Sequence, residues 1–129
     1  MLRYDSRIRL LAACFSGVAG YVDAIGFLMT GGFFVSFMSG NSTRLGIGLA
    51  QGAPSVGFAA ALLVTFVVGV MLGAVAGRIA RTHRRPVVLA LVTGLLASAL
   101  ALHGLGAGVW VAIPMVLAMG AENTVFAED

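Results

Sequence analysis

The chain has 129 residues, of which 60% are hydrophobic and only 10% are charged, and its mean hydropathy is +1.03. This composition excludes an ordinary soluble domain and is typical of an integral membrane protein. The net charge of +3 comes from arginines that cluster at the ends of apolar segments, so the charge indicates topology and gives no sign of nucleic-acid binding.

The first predicted span covers residues 10–30. One face of this helix carries small or polar residues three or four positions apart: Ser16, Gly20, Asp23, Phe27 and Thr30. At 1.5 Å per residue Asp23 lies about 20 Å from the start of the span, within the hydrocarbon. Because a carboxylate is costly there, we expect Asp23 to be a proton or cation site. The alternative is a structural carboxylate bonded to a neighbouring helix.

Segment 31–52 is apolar at its ends and polar at its centre, which reads Ser39, Gly40, Asn41, Ser42, Thr43 and Arg44. Gly40 can break a helix, and the three residues after it are good helix starters. We therefore predict a broken or re-entrant segment in which two half-helices meet at Gly40-Asn41. A descending half-helix over 33–39 would bring this junction to the depth of Asp23. The alternative is a polar loop outside the membrane.

Three further spans are predicted at about 53–77, 86–103 and 109–126. In the first of them Gly69, Gly73 and Gly77 stand four residues apart, a pattern that lets another helix approach closely. We expect these glycines to serve packing.

Two basic clusters predict the topology: Arg3, Arg7 and Arg9, and Arg78, Arg81, Arg84 and Arg85. Both should be cytoplasmic by the positive-inside rule, so an even number of crossings must separate them. Spans 10–30 and 53–77 supply two, provided that segment 31–52 does not cross completely. The topology therefore favours re-entry on independent grounds.

A short internal repeat relates Gly20–Ile25 to Gly120–Val125 at an offset of 100 residues. The two copies lie in spans of opposite direction, as in transporters built from inverted repeats. The candidate substrate or ion site consists of Asp23 and the polar centre Ser39, Gly40, Asn41, Ser42, Thr43 and Arg44, and this alignment adds Glu122 and Asn123 to it. The chain would then hold one repeat unit and the first helix of a second.

The run from Gly20 to Gly46, GYVDAIGFLMTGGFFVSFMSGNSTRLG, closely resembles the signature of the YoaK-like family of bacterial inner-membrane proteins, a domain of unknown function. Asp23 and Gly40-Asn41 match its pattern, whereas Ser39 stands where the family usually has Thr. AMGAENTVFAED resembles the start of that family's second half. The resemblance implies an inner-membrane location, a six-span plan and a C-terminally truncated chain, and it implies no substrate.

The fold class expected is thus an all-α, polytopic membrane helical bundle with a re-entrant segment and an inverted repeat. The function expected is transport or channelling of a small polar or anionic solute, with proton coupling at Asp23. The alternative is a membrane scaffold that uses the glycines as its interface. No enzyme motif, cofactor or metal site is expected. The expected partners are the lipid bilayer and an unidentified solute, and a homo-oligomer stays open.

Overall fold

The computed structural model of the chain describes residues 5–127, and within that range every regular element is helical. Arg3 and the acidic pair Glu128 and Asp129 lie outside the described residues. The helices are α1 (Ser6–Thr30), α2 (Met38–Gln51), α3 (Val56–Ala80), α4 (Arg84–Gly104) and α5 (Ala112–Glu122), with short 3-10 turns at Arg81–His83 and Gly108–Val111. The expected all-α class is confirmed.

Within residues 5–127, two helical stretches are long and apolar enough to cross a membrane. They are Ser6–Thr30 and the continuous run Val56–Gly104, while Gly108–Glu122 is a shorter apolar helix. Large apolar side chains stay exposed along α3, among them Val64, Val67 and Met71. In water such a continuous apolar surface would be a liability, whereas in hydrocarbon it needs no cover.

Helix α5 forms the centre of the packing, between α3 and α4. A Cβ atom added to Gly69 would overlap the backbone of Leu117, and one added to Gly73 would lie 2.9 Å from Cα of Ala121. The absence of side chains at these positions lets α3 and α5 approach with their backbones nearly in contact. Gly77 instead faces the side chain of Arg84.

Described members of both basic clusters lie at the same end of the molecule. Arg9 of α1 lines one cavity together with Arg84 and Arg85 at the start of α4. Helices α1 and α4 therefore run away from this end, which we call the basic end, and α3 and α5 run toward it.

The break in segment 31–52 is displaced from its predicted position. Gly40 and Asn41 lie inside the first turns of α2, and the residues that are not helical are 31–37. The prediction of half-helices that meet at Gly40-Asn41 is therefore wrong, as is that of a descending half-helix over 33–39. Gly40 suits a helix here because it has no Cβ, which would come within 3 Å of the rings of Phe34 and Phe37. Similarly, α5 ends at Glu122, before the predicted boundary at residue 126.

Candidate functional site

The non-helical segment 31–37 turns back along α1. Gly31 and Gly32 have φ angles of +71° and +112°, which only glycine adopts without strain, so the chain can reverse directly after α1. Residues 33–36 then descend beside the last turns of α1, and α2 returns in the opposite direction.

Asp23 of α1 fixes the part of this segment that lies nearest the basic end, Val35 and Ser36. Its Oδ1 atom accepts hydrogen bonds from the backbone N–H groups of Val35 at 2.6 Å and Ser36 at 2.9 Å. Its Oδ2 atom accepts a third bond from the hydroxyl of Ser36 at 2.9 Å. The carboxylate thus takes the place of the carbonyl groups that a helix or a strand would have offered to these amides.

Asn41 and Thr30 fix the preceding part of the segment, Phe33 and Phe34. The Asn41 side chain accepts from the N–H of Phe34 at 2.9 Å and donates to its carbonyl at 2.7 Å, and Asn41 is fully buried. The Thr30 hydroxyl oxygen accepts from the N–H of Phe33 at 3.0 Å. Three polar side chains therefore satisfy four consecutive amides, those of residues 33–36.

This arrangement leaves none of the four N–H groups of residues 33–36 without an acceptor. In hydrocarbon an unsatisfied peptide group costs several kcal/mol, so such a segment needs partners from the protein. Asp23 lies seven residues before the end of α1, which places Ser36 about 10 Å below that end. Gly26 permits the close approach, because a Cβ there would lie 3.0 Å from Cγ2 of Val35.

Arg44 of α2 is the charged group that this scaffold presents. Its guanidinium lies 5.5 Å from the ring centroid of Phe27 and 5.4 Å from that of Phe33, within cation–π range. It also lies against Gly32, where a Cβ would stand 3.3 Å from its terminal nitrogens. Within residues 5–127 no carboxylate forms an ion pair with it, and the residue is exposed.

Arg44 lines an open cavity of about 580 Å³, which we call the arginine groove. Its other walls include Phe34, Phe37, Thr43 and Gln51. A guanidinium is a planar fork of donors that matches a carboxylate or a phosphate. The groove therefore has the chemistry of an anion site with aromatic walls.

A second cavity, of about 460 Å³, lies on the other side of segment 31–37. Ser16, Ser36, Glu122 and Asn123 supply its polar lining, so we call it the serine cavity. The structure thus brings Glu122 to the same cavity as Ser36, the direct partner of Asp23. Within the described residues the Glu122 carboxylate has no hydrogen-bond partner.

A comparison with protein families now gives this geometry its context. A family model described as "Protein of unknown function (DUF1275)" matches residues 11–128. The chain belongs to this family. The matched range includes Asp23, the whole of segment 31–52 and Glu122.

One curated protein that the chain resembles is the UPF0700 transmembrane protein RA0705 of Rhizobium meliloti (strain 1021). It is 60% identical over 42 residues, which are 33% of this chain and 18% of the relative's length. No solved structure matches the chain. The family match, the relative's transmembrane description and the apolar helices together identify this DUF1275 protein as an integral membrane protein.

The remaining predicted site residues, Ser39, Ser42, Thr43 and Asn123, form no hydrogen bond with segment 31–37 among the described residues. Ser42 and Thr43 are exposed, and their hydroxyls donate to carbonyls of Met38 and Ser39 one turn earlier in α2. Ser39 and Asn123 are exposed as well. The hydroxyls of Ser42 and Thr43 are therefore engaged within their own helix.

Sequence reasoning did not assign a site role to Ser36 and placed Thr30 only on a helix face. Both hydroxyls flank the Gly31-Gly32 turn, and that proximity was the available signal. A hydroxyl beside a glycine turn in an apolar segment can bond the freed backbone groups.

Proposed function

We propose that this DUF1275 protein is a transporter or channel for a small polar or anionic solute. The observation that carries the proposal is Arg44, a guanidinium held by two aromatic rings and open to the arginine groove. A charge at this position in an apolar chain is costly to keep, and such residues mark solute or ion paths. Carboxylates and phosphates are the solutes that fit its fork of donors.

We further propose proton coupling and assign it to Glu122. Asp23 was the expected proton site, but its two oxygens are occupied by three donors that hold segment 31–37. Glu122 lines the serine cavity with no such partner among the described residues. Coupling at Asp23 stays a prediction, and flux through Asp23→Asn decides between the two carboxyl groups.

The proposal includes a multi-pass topology in the bacterial inner membrane with a cytoplasmic N-terminus. Support comes from the basic end, which joins both arginine clusters, and from segment 31–52, which turns back at the depth of Asp23. The YoaK-like name and the inverted repeat belong to the same proposal. Helices α1 and α5 run in opposite directions, as that repeat requires, although Asn123 follows α5 while Asp23 lies within α1.

The glycines of α3 support a scaffold function less than Arg44 supports transport. Gly69 and Gly73 are already covered by α5 of the same chain, so they offer no free surface to another protein. We therefore propose transport, and not assembly, as the activity.

A flux screen in liposomes tests the proposal, with labelled small carboxylates and inorganic phosphate as probes, with and without a pH gradient. We expect Arg44→Gln to abolish flux of the accepted solute and Arg78→Gln, an exposed arginine of α3 that lies outside the groove, to leave it unchanged. Glu122→Gln should remove the response to the pH gradient and retain exchange. Equal flux in Arg44→Gln and the wild-type protein would refute the assignment of Arg44.

A further inference from the structure

A third cavity lies at the basic end of the molecule, away from the arginine groove. It has a volume of about 830 Å³ and is lined by the end residues of three helical segments. Arg9 comes from α1, Arg85 comes from the start of α4, and Val125 and Phe126 follow α5. We call it the basic cavity.

The charge in the basic cavity comes from arginines on two different helices. Arg9 and Arg85 are exposed, and the Arg85 guanidinium lies 5.8 Å from the ring centroid of Phe126. None of the three acidic residues within 5–127, namely Asp5, Asp23 and Glu122, lines this cavity. Arg84 is different, because it is half-buried, packs against Gly77 and donates to the carbonyl of Thr124 at 3.4 Å, so it belongs to the fold.

Apart from Thr82, the rest of the lining is apolar and includes Ile8, Pro86 and Phe126. The cavity therefore has two chemistries, cationic side chains beside an aliphatic and aromatic wall. Its position at the ends of apolar helices is where the hydrocarbon of a bilayer gives way to headgroups. Basic pockets between membrane helices at this level suit lipid phosphates.

We propose that the basic cavity binds the phosphate group of an anionic phospholipid, with Arg9 and Arg85 as the contacting residues. The Phe126 ring and the aliphatic wall would lie against the glycerol and the first methylene groups. This proposal depends on the membrane location and not on transport, so either can fail without the other.

Native mass spectrometry of the purified chain with phosphatidylglycerol or phosphatidylcholine tests the proposal. We expect tighter binding of phosphatidylglycerol, weakened roughly five-fold by Arg9→Gln or Arg85→Gln and roughly 25-fold by both changes. Arg78→Gln is the matched control, since Arg78 is exposed near the same end and does not line the cavity. Circular dichroism and gel filtration check that the variants stay folded.

Three results would overturn the assignment. Equal binding of the two lipids by the wild-type chain would show that there is no phosphate site. An equal loss in Arg78→Gln would show that net charge, and not this cavity, attracts the lipid. Displacement of phosphatidylglycerol by an equimolar amount of inorganic phosphate would show that the site takes a soluble anion.

Discussion

The clamp between Asp23 and segment 33–36 can be tested by two substitutions that differ in what they remove. Asp23→Ala removes all three hydrogen bonds and leaves the N–H groups of Val35 and Ser36 without their acceptor. Val35 is fully buried, so water cannot readily replace the lost partner at that amide. At roughly 1–3 kcal/mol for an unsatisfied buried donor, the Val35 amide costs about 1–3 kcal/mol, and the half-buried Ser36 amide, beside the serine cavity, adds less.

Asp23→Asn keeps the oxygen that serves both amides. Its new amide nitrogen can donate to the Ser36 hydroxyl in place of accepting from it. We therefore expect a loss below about 1 kcal/mol, because all three contacts can be retained with one of them reversed. The pair of variants separates the geometry of the carboxyl group from its charge.

Hydrogen exchange at the amides of Val35 and Ser36, together with the melting temperature in detergent, measures these effects. A loss of about 2 kcal/mol accelerates exchange roughly 30-fold, so Asp23→Ala should expose both amides while Asp23→Asn leaves them protected. Asp5→Ala is the control, since Asp5 is exposed at the start of α1. Unchanged exchange in Asp23→Ala would refute the clamp and return Asp23 to a purely chemical role.

Three further substitutions test the contact between α3 and α5 and the interactions that hold segment 31–37. Gly73→Leu should lower the free energy of unfolding by about 1–3 kcal/mol or more, because the new side chain would overpack against α5. Gly94→Leu is the control, since the Cβ position of Gly94 faces open space. Equal melting temperatures of the two variants would contradict the close approach of α3 and α5. Gly26→Ala should loosen segment 31–37 and Gly17→Ala should not, as read from hydrogen exchange of the segment's amides; protection unchanged by the first variant would contradict the contact. Asn41→Ala removes two hydrogen bonds to one buried peptide unit and should cost about 1–3 kcal/mol, measured as a fall in melting temperature; a stable variant would show that water replaces the amide.

The all-helical fold was predictable because lipid leaves the backbone few other choices. Long uncharged runs must satisfy their peptide groups internally, and a helix does so without partners. The glycine spacing in α3 likewise pointed to a close helix contact, although sequence alone could not say that α5 is the neighbour.

The position of the break was not predictable from local preferences. Gly40 and Asn41 have low helix propensity, yet they lie in α2, because Asn41 reaches out of the helix to bond Phe34. The true break at 31–37 depends on Asp23, which lies twelve residues before Val35 in the sequence. Such tertiary hydrogen bonds override propensity, and no single-sequence pattern encodes them.

The role of Asp23 shows the same limit. A carboxylate in an apolar helix indicates either chemistry or structure, and the choice depends on which donors surround it. The three donors from Val35 and Ser36 favour a structural role for Asp23. Arg44 is then the better candidate for the solute site.

The course of segment 31–52 is the central claim, and cysteine accessibility in sealed vesicles tests it most directly. Single cysteines at Ser6, Gln51, Thr82 and His103, in a chain with Cys14→Ala, report the two ends of the molecule. If the segment turns back, Ser6 and Thr82 label from one face and Gln51 and His103 from the other. Labelling of Gln51 from the same face as Ser6, with Thr82 on the opposite face, would show a complete crossing and contradict the account.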